Sequence, residues 1–320
     1  MTGTIASKPT GITSRMRAAP LRAGALALAL ALTASACSPS RFVASSLGDA
    51  LSEDSLVYAS DNDIELIGEA TPFGLKTIET LIVEVPDHRG LLKAAARGFT
   101  QYAYVYVQLP ADEQEERDVA AAYDARARAR GLYLRARDYG LRGLGFVDEA
   151  SLTKLRREPR AALSTIGGED METLYWTGVA WSAAIALGKD QPTLIADLPV
   201  VDAIVERATT LDPNFDHGGL QTFLISYEMG RPGGGAEAVQ VANEHFLRAV
   251  ELSSGQRAAP YVAMAESVSI KLSQREAFEN LLAQALAIDV DARLEWRLAN
   301  LVMQRRARWL MAHSDTFFME

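Results

Sequence analysis

GFTQYAYVYVQL, residues 98–109, decides between a sheet and an all-helical fold. From Tyr102 to Val107 the residues are aromatic, small or β-branched and alternate in size, which is typical of a half-buried strand. When the window is extended back to Leu91, apolar residues recur three and four apart, which indicates one face of a helix. That stripe comprises Leu92, Ala95, Ala96, Phe99, Tyr102, Ala103 and Tyr106. The opposite face carries Lys93, Arg97, Thr100, Gln101, Gln108 and one aromatic residue, Tyr104.

The helical interpretation is favoured, because the approach KAAARGF has little β propensity and a strand would leave the polar face unexplained. The rest of the chain repeats the helical pattern, with Pro and Gly at wide spacing and no second convincing strand. Asn62 with Glu65 predicts a helix start, and Pro72 is expected to kink or restart that helix. Pro86 and Pro213 lie just after two positions where we expect helices to end.

Internal repeats predict the architecture. The tetratricopeptide pattern places a bulky residue, a small residue and an aromatic residue on the first helix of each pair, and a second small residue on the next helix. Degenerate first-helix copies begin at Leu92, Trp176, Tyr261 and Trp296, and second-helix copies begin at Ala129, Val201 and Ala242. The small residues Ala208, Ala249 and Ala285 are spaced more widely than the ideal repeat of about 34 residues. The set predicts an all-α, tetratricopeptide-like solenoid of helical hairpins.

Composition and charge narrow the function classes. The chain has 320 residues, 48% of them hydrophobic, with a formal net charge of -9. This balance is typical of a globular protein with a sizeable core. The acidic excess provides no electrostatic basis for binding nucleic acid, and we expect no nucleic-acid partner.

The first 36 residues have the layout of a secretory signal peptide. Arginines precede an apolar run from Ala23 to Ala36. This run is shorter than the about 20 residues that a transmembrane helix needs. Cys37, the single cysteine of the sequence, follows Ala34-Ser35-Ala36 and resembles the lipobox of bacterial lipoproteins, although Ala34 stands where that pattern prefers Leu, Val or Ile. The resemblance implies cleavage before Cys37 and its lipidation; a freely secreted protein is the alternative. The expected organisation is a signal peptide (1–36), a lipidated N-terminus and tether (37–46) and one helical-repeat domain (47–320).

Candidate catalytic and metal-binding motifs do not assemble. The four histidines, His88, His217, His245 and His313, lack metal-ligand spacing. FDHGGL at 215–220 is similar to an esterase oxyanion segment, but no G-x-S-x-G elbow accompanies it, so it is interpreted as a helix start. GRPGGGAE lacks the Lys and Ser/Thr of a P-loop and is interpreted as an inter-helix loop. We therefore expect a protein that is not an enzyme and needs no cofactor or metal.

Five stretches carry a family resemblance from about Ser60 onward. They are ATPFGLKTIETLIVEVPDHRGLLKAAARGFTQYAYVYVQ, LYLRARDYGLRGL, LYWTGVAWSAAIAL, LDPNFDHGGLQTFLISYE and LAIDVDARLEWRLANLVMQRRARWL. Together they resemble the T component (TatT) of tripartite ATP-independent periplasmic (TRAP) transporters. The resemblance implies a periplasm-facing, lipid-anchored protein that forms a homotrimer and has a solute-binding P component as its partner. It also implies a hydrophobic pore or cleft through which a solute passes.

Ser38 follows the cysteine, and this residue favours sorting of the lipoprotein to the outer membrane of a Gram-negative bacterium.

The residues themselves offer five ligand or pore candidates, since solenoids bind on an extended concave surface. They are Tyr104, Arg97, Gln101, Trp176 and Trp181. Packing on a neighbouring hairpin is the alternative role for Tyr104, and core packing is the alternative for both tryptophans. The competing function is a periplasmic scaffold that binds a protein or peptide.

We predict that Cys37→Ser moves the mature protein from the detergent phase to the aqueous phase in a phase-partitioning experiment, because several acyl chains give a stable membrane anchor. The wild-type protein should remain with the detergent. If both proteins partition alike, in either phase, the anchor hypothesis is wrong.

Overall fold

The fold was analysed in a computed structural model, which describes residues 1–4, 45–46, 56–231, 233 and 235–318. The predicted signal peptide, Cys37 and most of the tether lie outside these residues. The chain divides into two units after Val43, and all the helices discussed below belong to the unit 44–320. No strand occurs in the described part of this unit, so the all-α prediction is confirmed.

The first half of the unit is a succession of helices. Their bounds are α1 Leu56–Ala59, α2 Ile64–Glu84, α3 Arg89–Ala103, the π-helical segment π1 Tyr104–Gln108, α4 Leu109–Gln114, α5 Val119–Gly143, α6 Glu149–Arg157, α7 Pro159–Leu163, a 3₁₀ turn Gly168–Asp170 and α8 Met171–Ala186.

The second half of the unit is also helical. Its elements are α9 Pro192–Ile195, α10 Leu198–Leu211, α11 Phe215–Gly230, α12 Gly235–Leu252, α13 Ala259–Met264, the π-helical segment π2 Ala265–Ser269, α14 Arg275–Leu286, a 3₁₀ turn Leu294–Trp296, α15 Arg297–Ala312 and α16 Ser314–Phe317.

Polar caps fix several helix starts. The predicted start near Asn62 is confirmed, with the cap at Asp63, whose carboxylate accepts the Leu66 N–H at 2.9 Å. The helix does not restart at Pro72, since α2 continues through it, and a kink at this proline stays a prediction. Ile67 and Leu75 are buried on either side of Pro72, so packing holds both flanks in one helix.

The segment 98–109 is helical, as predicted, but not α-helical throughout. The Leu109 N–H donates to the carbonyl of Tyr104, five residues back, which is the π-helical pattern. Pro110 has no N–H with which to resume the α-helical ladder at the next position. The α-helical face assignment therefore fails after Ala103. Thr100, expected on the polar face, is buried and donates to the carbonyl of Ala96.

The FDHGGL segment begins helix α11, in agreement with the sequence interpretation. Asp216, His217 and Gly218 have left-handed backbone angles, with φ of 50°, 48° and 94°. A Cβ on Gly218 would lie 3.0 Å from the Cα of Ala249, so only glycine fits between the two helices. Arg257 donates to the backbone carbonyl and the carboxylate of Asp216, which holds the unusual turn in place.

Helices that follow each other along the chain pack in pairs, through the small residues that the repeat pattern placed there. α3 packs on α5, α8 on α5 and α10, α11 on α12, and α13 with π2 on α14. Ala208, Ala249 and Ala285 are all buried, as are Ala95, Ala180 and Ala265 of the first helices. The helical pairs agree with the predicted hairpins, while the tetratricopeptide-like assignment itself stays a prediction.

The two ends of the array contact each other. The last long helix, α15, packs on α1 and α2. Arg297 donates to the carbonyl of Ser60 at 2.9 Å, and Arg305 pairs with Glu65 at 3.1 Å. Tyr104 packs both with Tyr133 near the start of the array and with the apolar cluster around Phe278 near its end. The described helices therefore form a closed array.

Two glycines of α5 provide a matched test of this packing. A Cβ on Gly140 would lie 3.1 Å from the Cβ and 3.4 Å from the Cα of buried Thr177, whereas nothing lies within 4 Å of one on Gly131. We expect Gly140→Ala to destabilise the protein by about 1–3 kcal/mol through overpacking. Gly131→Ala should stabilise it by about 0.5–1 kcal/mol through helix propensity. Denaturant unfolding followed by circular dichroism measures both; equal effects would contradict the close α5–α8 contact.

Candidate functional site

A group of ionic and aromatic side chains lies where the ends of the array meet. The Arg306 guanidinium of α15 donates to Glu266 of π2 at 2.7 and 3.0 Å and approaches Glu113 of α4 at 3.5 Å. The pKa of Tyr104 responds to the charges of these three residues, so its phenol lies beside them. We call Tyr104, Glu113, Glu266 and Arg306 the closure cluster. Its members come from four different elements.

Both π-helical segments contribute to this cluster. Tyr104 is the first residue of π1, and Glu266 is the second residue of π2. A π-helical turn widens the helix by one residue, and such turns are frequent at functional sites because they re-aim a side chain. Here they bring a phenol and a carboxylate to the same guanidinium.

The closure cluster is packed among protein atoms and is still partly accessible to solvent. Burial is the largest influence on the pKa of Tyr104 and of Glu266, and it raises both. The Glu266 side chain nevertheless keeps 26% of its surface exposed and Glu113 keeps 27%, whereas Arg306 keeps 8%. Water can therefore reach both carboxyl groups.

Charge is distributed unevenly in the closure cluster. Arg306 is the only cation in it, against the carboxyl groups of Glu113 and Glu266. Asp112 is close enough to raise the pKa of Glu266 further, but it is itself paired with Arg126 at 2.8 Å. Arg306 lowers the pKa of Glu266 and so opposes the effect of burial. On balance the pKa of Glu266 is raised, with burial as the largest cause.

A row of cations lies along the first turns of α3. Lys93 and Arg97 share the Glu172 carboxylate of α8, at 2.7 and 3.1 Å. One turn earlier, Arg89 pairs with Asp170, the residue before α8. The three cations lie four residues apart on one helical row and face the start of α8.

An aromatic cluster continues from this row. Trp176 lies one turn after Glu172 on α8 and is half-buried. Tyr175 is 5.0 Å from Trp176, 5.1 Å from Phe215 and 6.3 Å from Phe223, measured between ring centroids. Burial raises the pKa of Tyr175 although its side chain is partly exposed, as found for Tyr104.

The five predicted candidates have different surroundings. Tyr104 lies in the closure cluster, Arg97 pairs with Glu172, and Trp176 borders the aromatic cluster. Gln101 is exposed one turn after Arg97. Trp181 is fully buried in the core beneath the Arg137 guanidinium, and its indole N–H has no partner among the described residues.

Sequence reasoning missed the acidic and basic members of the closure cluster. Glu113 belongs to an acidic segment that suits a helix start, and it lies 193 residues from Arg306. Glu266 offered a weak signal, because it interrupts the buried first-helix run of Met264, Ala265 and Val268. No local pattern indicates that it would face Arg306.

Within the described ranges, no group of three or more His, Cys, Asp or Glu residues is arranged to hold a metal ion. Nor does any helix there have the length and apolar character needed to cross a bilayer. The described helices thus form a closed all-α array, with polar and partly accessible side chains where its two ends meet.

Comparison with known proteins identifies the family of the chain. The sequence model of the TRAP transporter T-component family matches residues 60–318, so the chain belongs to that family. An uncharacterized protein of Treponema pallidum (strain Nichols) is 33% identical over 272 residues, which cover 82% of this chain and 83% of the relative. The family match covers helices α2 to α16, including both π-helical segments.

Substitutions at Tyr104 can separate the packing role of its ring from a role of its hydroxyl. The hydroxyl has no hydrogen-bond partner among the described residues, while the ring packs against both ends of the array. We expect Tyr104→Phe to change the free energy of unfolding by less than about 0.5 kcal/mol. Tyr104→Ala should lower it by about 3 kcal/mol through the cavity it leaves.

Denaturant unfolding measures the effect, and Tyr123→Ala is the matched control, because that tyrosine is exposed on α5. A Phe variant as unstable as the Ala variant would show that the hydroxyl, and not the ring, holds the closure.

Proposed function

We propose that this protein is a non-catalytic, periplasm-facing component of a TRAP transporter that binds the solute-binding P component and relays a partly hydrophobic solute. Family membership supports the association with the transporter. The observation that supports the relay is the closure cluster, where the side chains of Tyr104 and Glu266 are packed among other residues and are still partly accessible.

The chemistry of the described surfaces supports a solute of mixed character. Ligand sites usually combine apolar walls with a few polar anchors. Trp176, Tyr175 and Phe223 supply aromatic surface. Arg97 and Tyr104 are the proposed polar anchors, with Gln101 beside Arg97. Trp181 is not retained as a lining residue in this proposal, because its side chain is buried in the core.

Anchoring and assembly complete the proposal. Lipidation at Cys37 would keep the array at the periplasmic face of the outer membrane, with residues 37–46 as the lipidated N-terminus and tether. A homotrimer is the proposed assembly. Both points rest on the family and lipoprotein resemblances.

The proposal predicts that the P component encoded beside this protein co-purifies with it from the periplasmic and membrane fractions. Arg97→Gln should weaken that association or its dependence on solute by about fivefold or more, since truncating an anchor commonly costs more than about 1 kcal/mol. Arg308→Gln is the matched control, because Arg308 is an exposed arginine on α15 that should not affect binding.

Tyr104→Phe, which should preserve the packing, tests the second anchor. Association that is unchanged by both substitutions would discard these anchors and keep the transporter assignment. No association at any solute concentration would favour the alternative function, a scaffold that binds another protein or a peptide.

A further inference from the structure

The outer face of α5 carries three arginines at a spacing of seven residues. Together with the two outward residues between them they form the α5 row, which consists of Arg128, Gly131, Arg135, Asp138 and Arg142. All but Arg142, which is partly buried, are exposed. The three guanidiniums lie over aromatic rings, at 5.9, 5.3 and 5.7 Å from the ring centroids. Such stacking restricts an arginine side chain and leaves part of its five N–H groups for a further partner.

Ion pairs within the chain leave the charge of the α5 row largely uncompensated. Arg135 approaches Glu79 at 3.6 Å, but that carboxylate also pairs with Lys76. Among the described residues, Arg128 and Arg142 take part in no ion pair, and their hydrogen bonds go to a tyrosine hydroxyl and a backbone carbonyl. The row therefore presents cationic groups that a partner with carboxylates could pair.

Gly131 leaves a gap in the middle of the α5 row. A glycine inside a helix costs about 1 kcal/mol relative to alanine. No contact within the chain requires it here, since a Cβ at this position would have no described atom within 4 Å. The gap belongs to a shallow groove of about 370 Å³ that Leu134 and Tyr139 also line. A glycine at such a place permits the close approach of another chain.

Helix α12 carries a row of opposite charge with the same spacing. Its three glutamates and the two outward residues between them form the α12 row, which consists of Glu237, Gln240, Glu244, Leu247 and Glu251. All five side chains are exposed, and Leu247 is 59% exposed although it is a large apolar residue. Glu251 pairs with Arg248, and Glu244 accepts from Gln240. These contacts on the surface of one helix contribute little to stability.

We propose that α5 of one copy of this protein packs antiparallel on α12 of a second copy through these two rows. Residues seven apart in a helix lie about 10.5 Å apart along its axis, so two helices with this same spacing can form three arginine–glutamate pairs at once. Both rows are exposed within one chain, which leaves them available to another copy. This inference rests on the self-association that the proposed function includes, and it is independent of the transporter role.

The residues between the charges decide the direction of the two helices. In the antiparallel register, Leu247 enters the gap over Gly131, and the Gln240 amide can donate to the Asp138 carboxylate. In the parallel register, Leu247 would instead cover Asp138, and placing an apolar side chain against a carboxylate is unfavourable. The charged residues pair in either direction. In the antiparallel direction the pairs are Arg128 with Glu251, Arg135 with Glu244, and Arg142 with Glu237.

The other carboxylate on this face of α5 does not oppose the contact. Asp124 is exposed one turn before Arg128. In the antiparallel register it lies beyond Leu252, the last residue of α12, and so faces none of the three glutamates. Asp138 itself is already paired with Arg137 at 2.7 Å.

The proposed contact joins two different faces, so it repeats from one copy to the next. A contact of this kind closes into a ring when the rotation between copies allows it. A ring of three copies would be the proposed homotrimer. Because the contact is largely ionic and lies at the surface, added salt should weaken it.

Sedimentation velocity of the mature protein in detergent, over a range of concentrations, tests the contact. Arg135→Glu or Glu244→Arg places like charges opposite each other at its centre and should raise the dissociation constant by about tenfold or more. The protein that carries both substitutions regains an opposite pair and should associate like the wild type. Arg308→Glu and Glu276→Arg, at exposed positions on α15 and α14, are the matched controls.

Engineered cysteines test the direction of the helices. They are introduced together with Cys37→Ser, so that no other thiol is present. Gly131→Cys combined with Leu247→Cys should form a disulfide between copies on oxidation, because these positions face each other in the antiparallel register. Gly131→Cys combined with Gln240→Cys is the matched control. These two positions face each other only in the parallel register and should not cross-link.

A wild-type protein that stays monomeric at every concentration would overturn the contact and the proposed homotrimer together. Oligomers that persist unchanged in both charge-reversal variants would overturn the contact alone. The same holds if the doubly substituted protein fails to associate, or if the cross-link forms through Gln240→Cys and not through Leu247→Cys. None of these outcomes bears on the P component, whose association is tested separately by co-purification.

Discussion

The ion pairs of Arg306 with Glu113 and Glu266 lie where the two ends of the described array meet. A guanidinium that is 8% exposed must have partners, because an unpaired buried charge is costly. Glu266 of π2 supplies the two shorter contacts from the same end of the array as α15, and Glu113 of α4 supplies the contact from the other end. Through Glu113, Arg306 couples the packing of the first helices to that of the last.

Small residues make this closure geometrically possible. Each helix pair approaches closely at alanines or glycines, such as Gly140 against Thr177 and Gly218 against Ala249. Those contacts set the rotation from one pair to the next, and the sum of the rotations decides whether the ends meet. Bulkier side chains at these contacts would change the angle between neighbouring helix pairs. The meeting of the two ends therefore depends on residues that lie far from it.

The sequence allowed the helical class and the helix-packing positions to be predicted, because both depend on local periodicity. The stripe through Leu92, Phe99 and Ala103 is buried as expected. The π-helical segments could not be predicted, since a one-residue widening leaves the apolar pattern almost unchanged. The face assignment of Tyr104 failed for that reason. Glu266 and Arg306 were missed because their meeting depends on curvature summed over many helices.

Two groups of ion pairs follow from the same architecture. Between α3 and the start of α8, Arg89, Lys93 and Arg97 pair with Asp170 and Glu172. At the closure, Arg306 pairs with Glu113 and Glu266. The first group joins helices that follow each other closely along the chain, whereas Arg306 and Glu113 lie 193 residues apart. Loss of Arg306 would therefore weaken the contact between the two ends and leave the contact between α3 and α8 in place.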